Sequence, residues 1–430
     1  MRWLLCAWLS LWLPAAAAQD SYSFNVSQYE KKPFEFNGYV EALDQYFTYD
    51  RDAALYQLGF FNQATPESFN RGTGTVQLDG TYRHGITTAH VLDYSSYSHD
   101  YTGGSGTSRF YEASVSIQPD AGTTLNLGKK TYSWGKGYAW NPVGFVQRPK
   151  DPNDPDLARE GFVIAGADLV HSFDGTLKTI AFTPLIVPTS ANLNTGFGTA
   201  ADHLNPAAKL YFLYANTDID LMWLGAGAKS ARYGFDFSRN IGTNFEVHGE
   251  WAHFDSATHP VVDAAGNIAA LTSGATSYLL GLRYLTESEL TAVLEYYYNG
   301  TGYSEDEMAT FGSVEHDAYD QYLASGNAAP LTRLSTAFQP AMAQPNPGLR
   351  YVYLRLSQYE PFGILYYTPA LTLIANVDDH SYSVAPELLY TGITNFEFRF
   401  RIFWLRGGRL TDFGEKQYDR RVEFRARYYF

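Results

Sequence analysis

The chain closes on a stretch whose side chains sort themselves by parity. From Arg421 to Phe430, the residues Val422, Phe424, Ala426, Tyr428 and Phe430 fall on one parity, and Arg421, Glu423, Arg425 and Arg427 on the other. Successive side chains of a β-strand point to opposite faces, so the stretch predicts a strand with an apolar stripe on one side and a charged stripe on the other. The run before it repeats the pattern. Phe396, Phe398, Phe400, Ile402 and Trp404 alternate with Glu397, Arg399 and Arg401. Two consecutive strands of this kind call for an apolar surrounding on one face and water on the other.

An alternating strand that ends on an aromatic residue resembles the assembly signal of Gram-negative outer-membrane β-barrels. Phe424, Tyr428 and Phe430 hold the positions that carry the resemblance. It implies an all-β fold, a transmembrane antiparallel barrel, and contact with outer-membrane lipid and the barrel-assembly machinery. The other end of the chain agrees. Met1-Arg2 gives a positive start, Trp3 to Leu13 is an apolar run of signal-peptide length, and Ala15 to Ala18 offers a small-residue cleavage site. We therefore expect residues 1–18 to be a cleaved signal peptide, 19–33 a short periplasmic segment, and 34–430 the barrel.

Composition excludes several classes. The single cysteine, Cys6, lies in the expected leader, so the mature chain would have no disulfide, thiol nucleophile, thiolate metal site or attached c-type haem. Beyond residue 18 no window approaches 18 consecutive apolar residues, which rules out a transmembrane helix. The 34 Tyr and 28 Phe nevertheless exceed what a polar secreted enzyme needs, and suit an apolar barrel exterior. A formal charge of −14 argues against nucleic acid as a partner. There is no Gly-x-Ser-x-Gly elbow, so no hydrolase is indicated, and no cofactor is expected.

Between the ends the chain reads as hairpins. Turn signals at Arg83-His84-Gly85, Pro119 to Gly122, Ser172 to Gly175, Ala215 to Asp218, Arg239 to Gly242 and Thr286 to Glu289 each join two alternating runs. The intervening links are mostly long: 44–73, 95–108, 130–161, 185–207, 254–275, 299–348 and 406–420. Links near Lys229-Ser230 and Asp378 to His380 are short. Short turns on one side and long loops on the other are the pattern of a transmembrane barrel. The count comes to about 18 strands, with 16 as the alternative.

Two groups of residues are candidates for a pore. The third long loop carries Lys136, Arg148, Lys150 and Arg159 interleaved with Asp151, Asp154, Asp156 and Glu160. Prolines 142, 149, 152 and 155 keep it from being a strand. By position and charge it resembles the third loop of general porins, which folds into the barrel with acidic residues facing a basic wall; its motif differs. The basic wall would be Arg399, Arg401, Arg421, Arg425 and Arg427 with Glu397 and Glu423, all on the parity opposite the lipid stripe. Charges on the lipid face would cost roughly 2–4 kcal/mol each near the midplane, so this parity must face the lumen. The arginines could attract anions or simply pair with neighbouring acids.

Two lesser constellations remain. Glu246, His248 and Glu250 share one strand face at roughly 6.6–7 Å spacing, too far apart for one metal without help from other strands. Loop 299–348 holds Glu305-Asp306-Glu307 and Glu315-His316-Asp317, an oxygen-rich set for Ca²⁺ or Mg²⁺ without EF-hand spacing. A short helix is expected around 318–323. The whole chain thus reads as a porin-like channel for passive diffusion of small hydrophilic solutes, narrowed by its third loop, with homo-oligomerisation open. The rival readings are a substrate-specific conduit, for example for export of an acidic polysaccharide, and a structural sleeve for a separate periplasmic electron carrier; whether loop 134–160 or loop 299–348 closes the lumen stays open.

Overall fold

The computed structural model describes residues 32–342 and 344–430. The expected leader and nearly all of segment 19–33 lie outside the described residues. The first third of the sheet is β1 (Phe34–Tyr49), β2 (Ser68–His84), β3 (Thr87–Asp100), β4 (Gly103–Asp120), β5 (Thr123–Lys130) and β6 (Phe162–Ser172). The second is β7 (Leu177–Thr189), β8 (His203–Tyr214), β9 (Thr217–Leu224), β10 (Arg232–Ile241), β11 (Phe245–Val262) and β12 (Ile268–Leu285). The third is β13 (Leu290–Tyr298), β14 (Arg350–Gln358), β15 (Tyr367–Asn376), β16 (Tyr382–Tyr390), β17 (Phe396–Arg406) and β18 (Tyr418–Tyr429).

These 18 strands form one sheet, and β1 pairs antiparallel with β18 as well as with β2, so the sheet closes on itself. Closure gives every strand two partners and leaves no unpaired edge, the condition for a sheet to survive in hydrocarbon. The side-chain pattern matches. Leu221, Trp223, Phe235, Leu280, Leu294, Leu388 and Phe424 are exposed on the outer face. Asp220, Asp236, Glu250, Glu295, Thr372, Glu387, Glu423 and Arg425 are buried on the inner one. A soluble protein would do the reverse; this is a barrel built for an apolar surrounding.

The links sort by end as expected, with corrections. Links 95–108 and 254–275 are not long loops. There β3–β4 and β11–β12 run on as strands, joined by residues 101–102 and 263–267 only. Cross-strand hydroxyl pairs hold the extensions together, Ser96 with Thr107 at 3.2 Å and Thr258 with Thr272 at 2.8 Å. Helices are the second correction. Link 50–67 contains α1 (Ala54–Phe60), and link 299–349 contains α2 (Glu305–Ser325) and α3 (Ala329–Met342) where one short helix was expected.

Local chemistry explains α2. Ser304 and Glu307 form a reciprocal capping box, the acids of the first turn suit the helix N-terminus, and Gly326 ends the helix in the left-handed region at φ 74°. Glu305 to Glu307 therefore begin a helix; Glu307 is engaged by the N–H and hydroxyl of Ser304 at 2.8 and 2.9 Å. Met308 and Phe311 of α2 pack with Leu331, Leu334 and Phe338 of α3 and with Leu58 of α1. The apolar side of α2 is satisfied only by its neighbours, which a single-segment reading cannot supply.

Candidate pore site

Segment 131–161 leaves the barrel wall between β5 and β6 and has no regular secondary structure. It braces itself first. Gln147 accepts from the Trp134 N–H at 2.6 Å and returns its amide to the Trp134 carbonyl at 3.0 Å. The Lys150 ammonium donates to the carbonyls of Gly137 and Tyr138 at 2.6 and 3.1 Å. Gly135 has φ 97°, and a side chain there would collide with the Glu250 carboxylate and Asn141. The reversal thus needs glycine for both backbone and space.

Two carboxylates of the wall receive this first part of the segment. Glu250 Oε1, on β11, accepts from the backbone N–H of Lys136 and Gly137 at 2.7 and 2.6 Å and from the Asn141 amide at 2.9 Å; Oε2 accepts from Val143 at 3.3 Å. Glu295, on β13, accepts from the N–H groups of Tyr138 and Ala139, the latter at 2.9 Å. His248 Nε2 stands 2.9 Å from Glu295, while its Nδ1, 3.4 Å from Glu246, has no hydrogen-bond partner among the described residues. Trp140 adds an apolar contact by stacking on Tyr297, centroids 5.0 Å apart. Nearby, the Lys136 ammonium reaches Asp220 at 2.8 Å and Asp236 at 3.9 Å, and Lys209 meets Asp220 from the other side at 3.4 Å.

The second part of the segment is received by arginines. Buried Asp154 is 3.3 Å from Arg399, 3.2 Å from Arg401 and 3.0 Å from Arg425, and Arg401 also donates to the Asn153 carbonyl at 2.9 Å. Those arginines have further partners. Glu387 is 3.6 Å from both Arg399 and Arg401 and 2.9 Å from Arg355. Glu423 is 3.0 Å from Arg401 and from Arg421. Glu41 is 2.6 Å from Arg427 and 3.5 Å from Arg425. Arg421 and Arg427 also lie over the Phe403 and Tyr39 rings, 4.0 and 4.1 Å from their centroids. Cation–π contact is worth about 0.5–2 kcal/mol, so these two are held by more than charge.

The remaining candidates are placed as follows. Glu160 gathers Lys129, Arg148 and Arg109 at 2.5, 3.1 and 3.6 Å where the segment re-enters the wall. Arg159 donates to the Arg148 carbonyl at 3.0 Å. Glu397 sits 3.9 Å from Arg399 and accepts from the Tyr429 hydroxyl at 3.1 Å. Asp151 and Asp156 are exposed; Asp151 turns the backbone by accepting from the Asn153 N–H at 2.9 Å, and Asp156 accepts from the Tyr138 hydroxyl at 3.3 Å. Phe424 and Tyr428 point outward, and Phe430 exchanges backbone hydrogen bonds with Gly38 at 3.2 and 3.1 Å, its ring 6.1 Å from that of Phe36.

Sequence reasoning passed over Glu41, Asp220, Asp236, Glu295, Arg355 and Glu387. A signal existed: each is a charge on the inward parity of its strand, as Glu387 is in Tyr382–Tyr390.

A closed 18-stranded antiparallel barrel, apolar outside and charged inside, is a porin-like outer-membrane barrel. No protein-family model and no curated protein matches the sequence. Solved structures do. OccK2 (OpdF) of Pseudomonas aeruginosa, in complex with glucuronate, is 13% identical at TM-score 0.50, covering 92% of this chain and 98% of its own. OccAB1 of Acinetobacter baumannii is 13% identical at TM-score 0.51, over 92% and 96%. OccK5 (OpdH) of Pseudomonas aeruginosa is 10% identical at TM-score 0.50, over 92% and 98%. At such identities the likeness is one of fold.

Proposed function

We propose that this protein is an outer-membrane channel through which small hydrophilic solutes diffuse, and that segment 131–161 forms its constriction. One observation carries the reading. The segment is anchored at three sectors of the wall: covalently at β5–β6, through Glu250 and Glu295 at β11–β13, and through Asp154 at β17–β18. In the strand order these sectors stand about a third of the circumference apart. A chain tied at three such points has to cross the interior. Charges there need water or opposite partners, and Lys136 and Asp154 of this segment meet side chains of opposite sign on the wall.

The paired state of the arginines favours this over a wide conduit for an acidic polymer. Glu41, Asp154, Glu387 and Glu423 already occupy the guanidinium groups that such a polymer would use. A small solute needs only transient exchange with a charged lining. The neighbour crystallised with glucuronate makes sugar acids a sensible first solute to try.

Replacing residues 138–156 with a short Gly-Ser linker tests the constriction. In planar bilayers the single-channel conductance should rise several-fold while the barrel remains heat-modifiable on gels. Low conductance unaffected by the excision would overturn the reading and move attention to link 299–349 as the plug.

A further inference from the structure

Segment 131–161 fills most of the ring it crosses. Trp134, Val143, Phe145 and Val146 are buried in one apolar cluster with inward residues of β6–β9, β11 and β12, Ile164 and Met222 among them. On β10 a Cβ at Gly234 would stand 2.8 Å from Val143 Cγ1, so no space is left there either. Ala139 and Trp140 are buried likewise against β12–β15, where Leu279 and Tyr353 are fully covered. Asp154 then meets the buried side chains of Arg401 and Arg425 on β17 and β18. Over the arc from β6 round to β18, segment and wall meet through buried groups.

The arc from β1 to β5 is different. Among the described residues no apolar cluster joins it to the segment; Phe47 and Phe69 of β1 and β2 pack with Tyr56 of α1 instead. The longest exposed run of the segment, Asp156-Leu157-Ala158, lies where the chain returns from Asp154 to β6 and spans this same arc. Charges tell the arcs apart as well. Asp79 on β2, His90 on β3 and Glu112 on β4 share the inward parity of Thr75 and Ser114, and 33%, 28% and 18% of their side-chain surface stays exposed. For Asp220, Asp236 and Glu295 across the barrel the values are 2%, 0% and 0%. The three stand level with the segment, because Glu112 Oε1 accepts from the N–H of Thr131, just beyond β5, at 3.3 Å.

His90 Nε2 lies 3.2 Å from Asp79 Oδ1, and its Nδ1 lies 3.1 Å from Glu112 Oε2. Carboxylates only accept, so a ring protonated on both nitrogens satisfies both contacts; a ring protonated on one leaves a lone pair against an acid. We propose that solutes cross the level of segment 131–161 only along the lane between it and β1–β5, and that the Asp79–His90–Glu112 group sets the charge preference of that lane. The inference rests on the constriction proposed above and specifies where that constriction leaves room. Charges of the other arc are enclosed against the segment, whereas these three stay wetted and within reach of a passing ion. Lys130, on the neighbouring β5, is turned to Asn126 Oδ1 at 2.6 Å. A carboxylate lining a narrow path draws cations and repels anions, so the balance of the three groups decides which small ions pass.

Thiol modification during planar-bilayer recording of the full chain tests this. The only cysteine, Cys6, lies in the expected leader, so one substitution gives the mature barrel one thiol. Thr81→Cys places it in the lane, paired with His90 across the sheet, and Gln77→Cys is a second lane position on the same face of β2. Ala207→Cys and Val293→Cys place it in the two apolar clusters. On treatment with a sulfonate-bearing methanethiosulfonate, the lane variants should lose about half their conductance and shift towards cations. The two cluster variants should not respond. Asp79→Asn should move the reversal potential the other way, by about two-fold in permeability ratio towards anions. Heat-modifiability on gels shows beforehand which variants have assembled. Equal responses in lane and cluster variants, or no response at either lane position, would overturn the lane. An unmoved reversal potential in Asp79→Asn would overturn the role of the three groups. The constriction is scored apart from both: it falls if excision of residues 138–156 leaves conductance unchanged, whatever the thiols do.

Discussion

Two sectors of the same wall hold segment 131–161 by opposite chemistry. At β11 and β13, Glu250 and Glu295 accept from five backbone N–H groups between Lys136 and Val143. At β17 and β18, Arg399, Arg401 and Arg425 converge on the one side chain of Asp154. The first sector fixes the path of the backbone, with glycine at 135 and 137 where a side chain has no room. The second fixes one residue and shares its charges with Glu387 and Glu423. Shape is set where carboxylates meet amides; charge is set where guanidinium groups meet carboxylates.

The difference makes the first sector the costlier to break. Glu250→Ala with Glu295→Ala removes the acceptors of those N–H groups, and each that stays buried and unsatisfied costs about 1–3 kcal/mol. The outer face is untouched, so the barrel should still assemble, while conductance rises and becomes noisy on the millisecond scale in bilayer recordings. Quiet channels of unchanged conductance would show that the amide contacts do not hold the segment.

In the second sector, changing Arg399, Arg401, Arg425 and Arg427 to Gln leaves Glu41, Asp154, Glu387 and Glu423 without most of their partners. Reversal potentials should then move towards cation preference by several-fold in permeability ratio. The shift should fade near 1 M salt, where the Debye length is about 3 Å. An unmoved reversal potential with lowered stability would mean that the cluster is structural only.

Asp154→Asn is the milder probe of the same place. It removes one negative charge from among three guanidinium groups that keep other acids, so permeability should shift towards anions, by about two-fold, with little change in conductance. A shift towards cations would contradict the geometry.

The smallest effect lies outside the membrane and contrasts a buried carboxyl that has donors with one that does not. Neither oxygen of Glu315, on α2, has a hydrogen-bond partner among the described residues, unlike those of Glu250. Burial, and then the neighbouring Glu415 carboxylate, pushes the Glu315 carboxyl up to about 9 from an ordinary 4.5. The folded form therefore keeps a proton that the unfolded form has lost between those values. Its contribution is full below pH 4.5 and falls away as pH rises towards 9. Hydrogen exchange of α2, corrected for the intrinsic rate, should speed up between pH 6 and 8.5, and Glu315→Gln should remove most of that change. Equal pH dependence in the variant would refute the assignment.

The strands were legible one at a time. Alternation in 396–404 and 421–430 predicted both which residues face out and which face in, because the period of two is a local property of the chain. Turn residues likewise marked the short-turn end. The ends of β3–β4 and β11–β12 were misjudged because hydroxyl-rich runs read as loops until a partner strand pairs them. The capping box of α2 was in the sequence, but the packing that makes a 21-residue helix worthwhile comes from α1 and α3.

By itself the sequence determined the alternation, the even number of strands near 18 and the charges of the inward parity, since each follows from neighbours in the chain. Only the tertiary structure decided which charges meet. Asp154 finds Arg399, Arg401 and Arg425 nearly 250 or more residues away, and Glu250 finds amides more than 100 residues away. Backbone amides carry no signature in a sequence, and closure of the sheet alone brings β1 against β18. Contacts that depend on closing a ring are written in no segment of it.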